Sequence, residues 1–108
     1  MNAFDILGDP VRRRIVELLS AGEASAGEIT ARVRHEFGVS QPAVSNHLRI
    51  LREHGFAGAR ASGSRRIYAL EPDAFAGLDE WLTRYRSLWM QRLDALETEI
   101  ARGGGAHS

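Results

Sequence analysis

The sequence predicts a mainly α-helical chain with one small β-hairpin: a winged helix-turn-helix followed by a long C-terminal helix. Three observations predict it. Two short amphipathic segments, residues 25–37 and 40–54, are separated by Gly38, which is the helix-turn-helix arrangement. Behind them, FAGARASGSRRIYAL holds two short segments on either side of Ser62-Gly63-Ser64, the pattern of a tight hairpin, or wing. Residues 72–101 then carry Phe75, Leu78, Leu82, Tyr85, Trp89, Leu93, Leu96 and Ile100 in steps of three and four, close to a heptad seam.

Each element has local signals. AFDIL reads as a short first helix ended by Gly8. In DPVRRRIVELL, Asp9 can cap, Pro10 suits the first helical position, and Val11, Ile15, Leu18 and Leu19 share a face before Gly22. Ser25 and Glu28 form a capping box ahead of Ile29, Val33 and Phe37. Ser40 caps the next helix, Pro42 is tolerated in its first turn, and Gly55 closes it after His54. Arg66, Tyr68 and Leu70 alternate with Arg65, Ile67 and Ala69, as in a strand. The final helix starts at Pro72 and stops at the Gly103–Gly105 run. The expected organisation is a winged body over 1–71, a dimerisation helix over 72–102 and a disordered tail over 103–108.

A helix of about thirty residues is roughly 45 Å long, more than a body this small can cover. Its distal stripe, Tyr85 to Ile100, therefore calls for a second copy of the chain. Trp81, Tyr85, Trp89 and Met90 lie in the same stretch and are read as dimer core, which leaves any small-molecule inducer unassigned.

Composition narrows the function classes. The 108 residues fit one domain, and the formal net charge is zero. The charge is uneven, however. Residues 39–66 hold Arg49, Arg52, Arg60, Arg65 and Arg66 against Glu53 alone, whereas residues 67–108 hold four arginines against seven acids. A basic middle and an acidic end imply different partners. All fourteen basic residues are Arg, so phosphate or base contacts would be made by a planar fork. With no cysteine there is no disulfide, thiolate metal site or thiol nucleophile. No signal peptide or membrane-spanning run is visible, so a cytoplasmic protein without membrane contact is expected.

The stretch VSQPAVSNHLRILREHG is the most informative. Val44, Leu48 and Leu51 form its inward stripe. Gln41, Ser45, Arg49 and Arg52 face out together, flanked by Pro42 and Asn46. Gln, Asn and Arg make paired hydrogen bonds to adenine or guanine edges, and the start of such a helix enters the major groove. Double-stranded DNA is therefore the expected partner. A solvated face that happens to lack acids is the plainer alternative; the capping box, the wing and the local basic charge weigh against it. Alternation puts Arg65 and Arg66 on opposite faces of the wing, one toward the phosphate backbone or minor groove and the other toward an acid of its own domain. Arg12, Arg13 and Arg14 read as a solvated run with one arginine bonded to a helix end.

His35, His47, His54 and His107 have no metal-binding spacing. His47 is either half-buried or a phosphate donor, and His54 sits at a helix end. No nucleophilic triad, phosphate loop or cofactor motif is present, so neither an enzyme nor a cofactor is expected.

Taken together, LGDPVRRRIVELL, SQPAVSNHLRILREHGFA and SGSRRIYAL, in this order and spacing, resemble the ArsR family of bacterial winged-helix repressors over residues 3–101. The resemblance implies a homodimer joined through its first helix (Phe4 and Leu7) and its last (Leu82, Tyr85, Trp89, Leu93, Leu96 and Ile100), binding an inverted repeat. It also implies that Ser40, Gln41, Ser45, His47 and Arg49 belong to the recognition helix and Arg65 and Arg66 to the wing. The metal sites of the family are missing. Thr30 and Arg32 stand where thiols would be, and no His occurs between residues 55 and 106. The chain is thus similar to the metal-free subgroup. A winged helix can alternatively serve as a protein-binding module without specific DNA contacts; such faces tend to lose Arg, and this one keeps it.

Overall fold

The computed structural model describes the backbone of residues 1–107 and the side chains of residues 1–103. The chain forms two units, Met1–Phe75 and a second beginning at Ala76.

The first unit holds α1 (Ala3–Gly8), α2 (Pro10–Ala21), β1 (Ala24–Ser25), α3 (Ala26–Phe37), α4 (Gln41–Glu53), β2 (Ala57–Ser62) and β3 (Arg65–Leu70). Its helix starts are held as the sequence predicts. The Asp9 carboxylate accepts from the amides of Val11 and Arg12 at 2.8 and 3.1 Å. Ser25 Oγ accepts from Glu28 N, and Ser40 Oγ from Ala43 N. Each satisfies amides left without intrahelical partners. The end of α4 is a Schellman motif. Phe56 N donates to Leu51 O at 2.9 Å and Gly55 N to Arg52 O at 3.3 Å, while Gly55 takes φ 79°, a conformation that favours glycine.

The core comprises Ile6 from α1, Val11, Ile15, Val16 and Leu19 from α2, Ile29 and Val33 from α3, and Val44, Leu48 and Leu51 from α4, closed by Phe56, Ala57 and Tyr68. Phe56 and Phe75 meet edge to face, with centroids 5.8 Å apart. Phe37 departs from its expected place on the buried stripe. It is the last residue of α3, beyond the turn that Ile29 and Val33 anchor, and is 39% exposed.

The wing pairs in register from Ala57↔Leu70 to Ser62↔Arg65, leaving Gly63 and Ser64 as its turn. Gly63 has φ 63° and Ser64 a negative φ, the pattern of a type II′ hairpin. The sheet has a third strand that sequence reading does not anticipate. β1 pairs with β3 through Ala24↔Tyr68 and Ser25↔Ile67, giving the order β1-β3-β2. Ser25 thus both ends a strand and caps α3.

The second unit is α5 (Ala76–His107). It begins after, not at, Pro72. Residues 72–75 form turns, with Ala74 N donating to Glu71 O. The helix bounds run past the Gly103–Gly105 run expected to stop it. Glycine disfavours a helix by about 1 kcal/mol but keeps the N–H that continues the ladder. Of the expected tail, Ser108 lies outside the described residues.

Candidate nucleic-acid interface

Because Val44, Leu48 and Leu51 anchor α4 to the core, the opposite positions of that helix are forced outward. Gln41, Ser45, Asn46, Arg49 and Arg52 are all exposed. A concavity of about 570 Å³ runs between this face, the outer face of α3 and β3. Gln41, Ser45, Arg49 and Arg52 line it from α4, Ala26, Gly27, Thr30, Ala31 and Arg34 from α3, and Arg66 and Tyr68 from the wing.

The arginines of the first unit divide by location. Away from the concavity each is engaged. Arg14 binds Glu36 and Glu17, and Arg32 shares Glu36. The two arginines hold the Glu36 carboxyl down to about 2. Arg60 pairs with Glu23 at 2.9 Å, and Arg65 pairs with Glu28. Arg12 and Arg13 donate to the carbonyls near the end of α1, those of Asp5, Ile6 and Leu7. Four arginines, Arg34, Arg49, Arg52 and Arg66, line the concavity; Arg49 pairs with Glu53, and among the described residues the other three have no acidic partner. Arg66 instead lies over the Tyr68 ring, 5.8 Å from its centroid, a cation–π arrangement.

This sorting changes two expectations from sequence. The basic count over residues 39–66 includes Arg60 and Arg65, whose charges are offset by Glu23 and Glu28, 37 residues earlier. The concavity instead gains Arg34, which sequence reading passes over. Its signal is present: Gly27, Thr30, Ala31 and Arg34 recur at helical spacing as an acid-free stripe. Of the wing pair, Arg65 faces an acid of its own domain and Arg66 faces the concavity.

The other predicted residues have distinct settings. Ser40 uses its hydroxyl as the cap of α4. Arg49 donates to both carboxylate oxygens of Glu53 and, at 2.6 Å, to Asn46 Oδ1. His47 takes the half-buried role of its two. Its side chain is 15% exposed and stands 4.0 Å from Asp9, with Arg12 Nη1 3.3 Å from Nδ1. Burial first, and then Arg12, lower its pKa, while Asp9 pulls the other way.

On the expected dimer faces, Phe4 is exposed and Leu7 is half-buried against the core. Along α5, Leu82, Tyr85, Trp89, Leu93, Leu96 and Ile100 are 38–61% exposed. Trp81 and Tyr85 stack with centroids 4.1 Å apart. Among the described residues no group of three His, Cys, Asp or Glu could hold a metal ion. No helix there is long and apolar enough to cross a membrane.

Residues 7–57 match a helix-turn-helix domain family. The chain is 36% identical to the HTH-type transcriptional regulator Rv2034 of Mycobacterium tuberculosis, over 86% of this chain and 87% of that protein. It is 30% identical to the transcriptional repressor SdpR of Bacillus subtilis, over 78% of this chain and 89% of that one. Among solved structures it resembles an ArsR family transcriptional regulator, RHA00566, at 29% identity and a TM-score of 0.68, covering 81% and 91% of the two chains.

Proposed function

Since the chain belongs to the ArsR family of winged-helix transcriptional regulators, we propose that it acts as a homodimeric repressor that binds an inverted repeat in duplex DNA. The observation that carries this reading is the segregation of charge. Every arginine of the body outside the concavity is engaged by an acid or a carbonyl, whereas of the four arginines along it only Arg49 has an acidic partner among the described residues. A groove lined by three arginines without acidic partners is suited to a polyanion.

In this reading α4 enters the major groove. Gln41, Ser45 and Arg49 meet base edges there, with Asn46 beside them. Arg34 and Arg52 meet phosphates at the groove margins, and Arg66 reaches the backbone beside the wing. Ser40 and His47 serve this indirectly, Ser40 by starting the helix and His47 by joining it to Arg12 beside Asp9.

The exposed apolar stripe of α5 supports a dimer, because leaving Leu, Trp and Ile in water forfeits roughly 25 cal/mol per Å². Two-fold symmetry would place the recognition helices about 34 Å apart, one turn of B-DNA. A thiol- or histidine-based metal response does not suit the donor set. Thr30 and Arg32 offer no thiolate, and α5 has no His before residue 107.

A band shift on the DNA immediately upstream of the protein's own gene tests the reading. A complex that survives excess random duplex, and is lost with Arg49→Ala, is expected. Wild-type protein with no preference over random duplex would overturn it.

A further inference from the structure

The recognition helix carries one acid among the residues that follow its cap, and that acid is badly placed for helix stability. Glu53 is the last residue of α4, at the negative end of the helix dipole, where a carboxylate is unfavourable. It also stands one position from Arg52, on a face proposed to meet a polyanion. Its contacts indicate what it does there. Arg49 Nη1 donates to Glu53 Oε1 and Oε2 at 3.0 and 2.9 Å, and Arg49 Nη2 donates to Asn46 Oδ1 at 2.6 Å. The guanidinium is gripped from both sides, one turn back and one turn forward along α4.

A guanidinium has five N–H donors. Three bonds engage at most three of them, so at least two remain. Guanine presents two acceptors in the major groove, N7 and O6, and a bidentate arginine is the usual match for them. Asn46, with its carbonyl engaged by Arg49, has its NH₂ left to donate. The pair therefore offers donors only. Adenine, which pairs an acceptor with a donor at its edge, is the poorer match.

Resting on the DNA-binding reading above, we propose that Glu53 is a specificity-determining positioning residue. Together with Asn46 it holds Arg49 as a fixed donor fork that selects guanine at one position of each half-site. The carboxylate has a second effect. It offsets the charge of Arg49, so that this arginine adds discrimination between bases more than general attraction to phosphate. Freed from Glu53, the side chain regains its rotamers and can turn to the backbone instead.

Selection of binding sites from a random duplex library, followed by sequencing, tests this with wild type, Glu53→Ala and Arg49→Ala. Glu53 is exposed at a helix end, so its loss leaves the core intact. Wild type is expected to enrich a motif with guanine favoured about tenfold or more at one position per half-site. Glu53→Ala should still bind, with that preference falling below about threefold, whereas Arg49→Ala should enrich no guanine at that position. Its affinity for random duplex should rise at low salt, with a salt slope steeper by about one per subunit. A merely structural role for Glu53 would move affinity without changing base preference. Wild type that enriches a motif which Glu53→Ala leaves unchanged overturns the inference alone. Wild type that enriches nothing overturns the reading of the groove, and this inference with it.

Discussion

Arg12 Nη1 lies 3.3 Å from His47 Nδ1, joining the start of α2 to the middle of α4. Arginine can only donate, so Nδ1 accepts and the imidazole proton sits on Nε2, toward Asp9. Protonating Nδ1 would set two positive groups against each other in a half-buried site. This fixes the sign of a pH effect. Unfolded, the ring titrates near its ordinary 6.5, and in the fold it titrates lower. The unfolded chain thus takes the proton first. The stability contributed by the neutral ring is complete above pH 6.5 and is lost as pH falls through 6.5 toward the lower folded value. Urea unfolding of wild type at pH 7.5 and 5.5 should show lower stability at 5.5, and His47→Gln should lose this component. The Glu36 carboxyl, held down to about 2, titrates well below this window.

The division of arginines predicts a contrast among substitutions of one chemistry. Arg34→Ala, Arg52→Ala and Arg66→Ala should each weaken duplex binding at all sequences alike. Each should lower the log–log salt slope by roughly two per dimer, at about 0.9 per phosphate contact. Arg14→Ala and Arg60→Ala remove the same charge where Glu36 and Glu23 already offset it, and should leave the slope unchanged. Anisotropy titrations between low and moderate salt read the difference. Equal effects from both groups would mean that net charge, rather than the concavity, attracts the duplex.

Helix α5 predicts a separation of assembly from recognition. Leu93→Asp or Leu96→Asp puts a charge into the apolar stripe and leaves α4 untouched. Sedimentation should find monomer at micromolar concentration, and binding to a full inverted repeat should fall well below that of wild type. A variant that remains dimeric would show that the stripe is not the subunit contact.

Ile15 of α2 and Leu51 of α4 are fully buried. Truncating either to Ala should cost about 2–5 kcal/mol from lost burial and the cavity left behind. Denaturant midpoints measure this directly. Ile50→Ala, at a half-buried position of α4, should cost clearly less.

What could be read from sequence was what is locally determined. Asp9, Ser25, Ser40 and Gly55 mark helix ends because a cap depends on residues two to five positions away, and each acts as its type suggests. The buried stripe Val44, Leu48 and Leu51 follows from helical period alone. What was missed is non-local. Ala24 and Ser25 are a strand only because β3 lies beside them, offering Tyr68 and Ile67. Two residues carry no period of their own. Arg65 looks like a free wing cation until Glu28, 37 positions earlier, is brought beside it. Arg34 looks like one more solvated helix charge until α3 and α4 cross and place it on the rim shared with Arg52. The outward face of α4 was legible as a face; which charges remain unmatched around it depends on tertiary structure.

The most direct measurement is a residue-by-residue map of amide chemical-shift changes as a duplex carrying the protein's own upstream sequence is added. Changes should concentrate on residues 26–34, 41–52 and 65–68, with the outer surface of α2 silent. Changes centred on α2, or none even with the duplex in large excess, would contradict the assignment of the concavity to DNA.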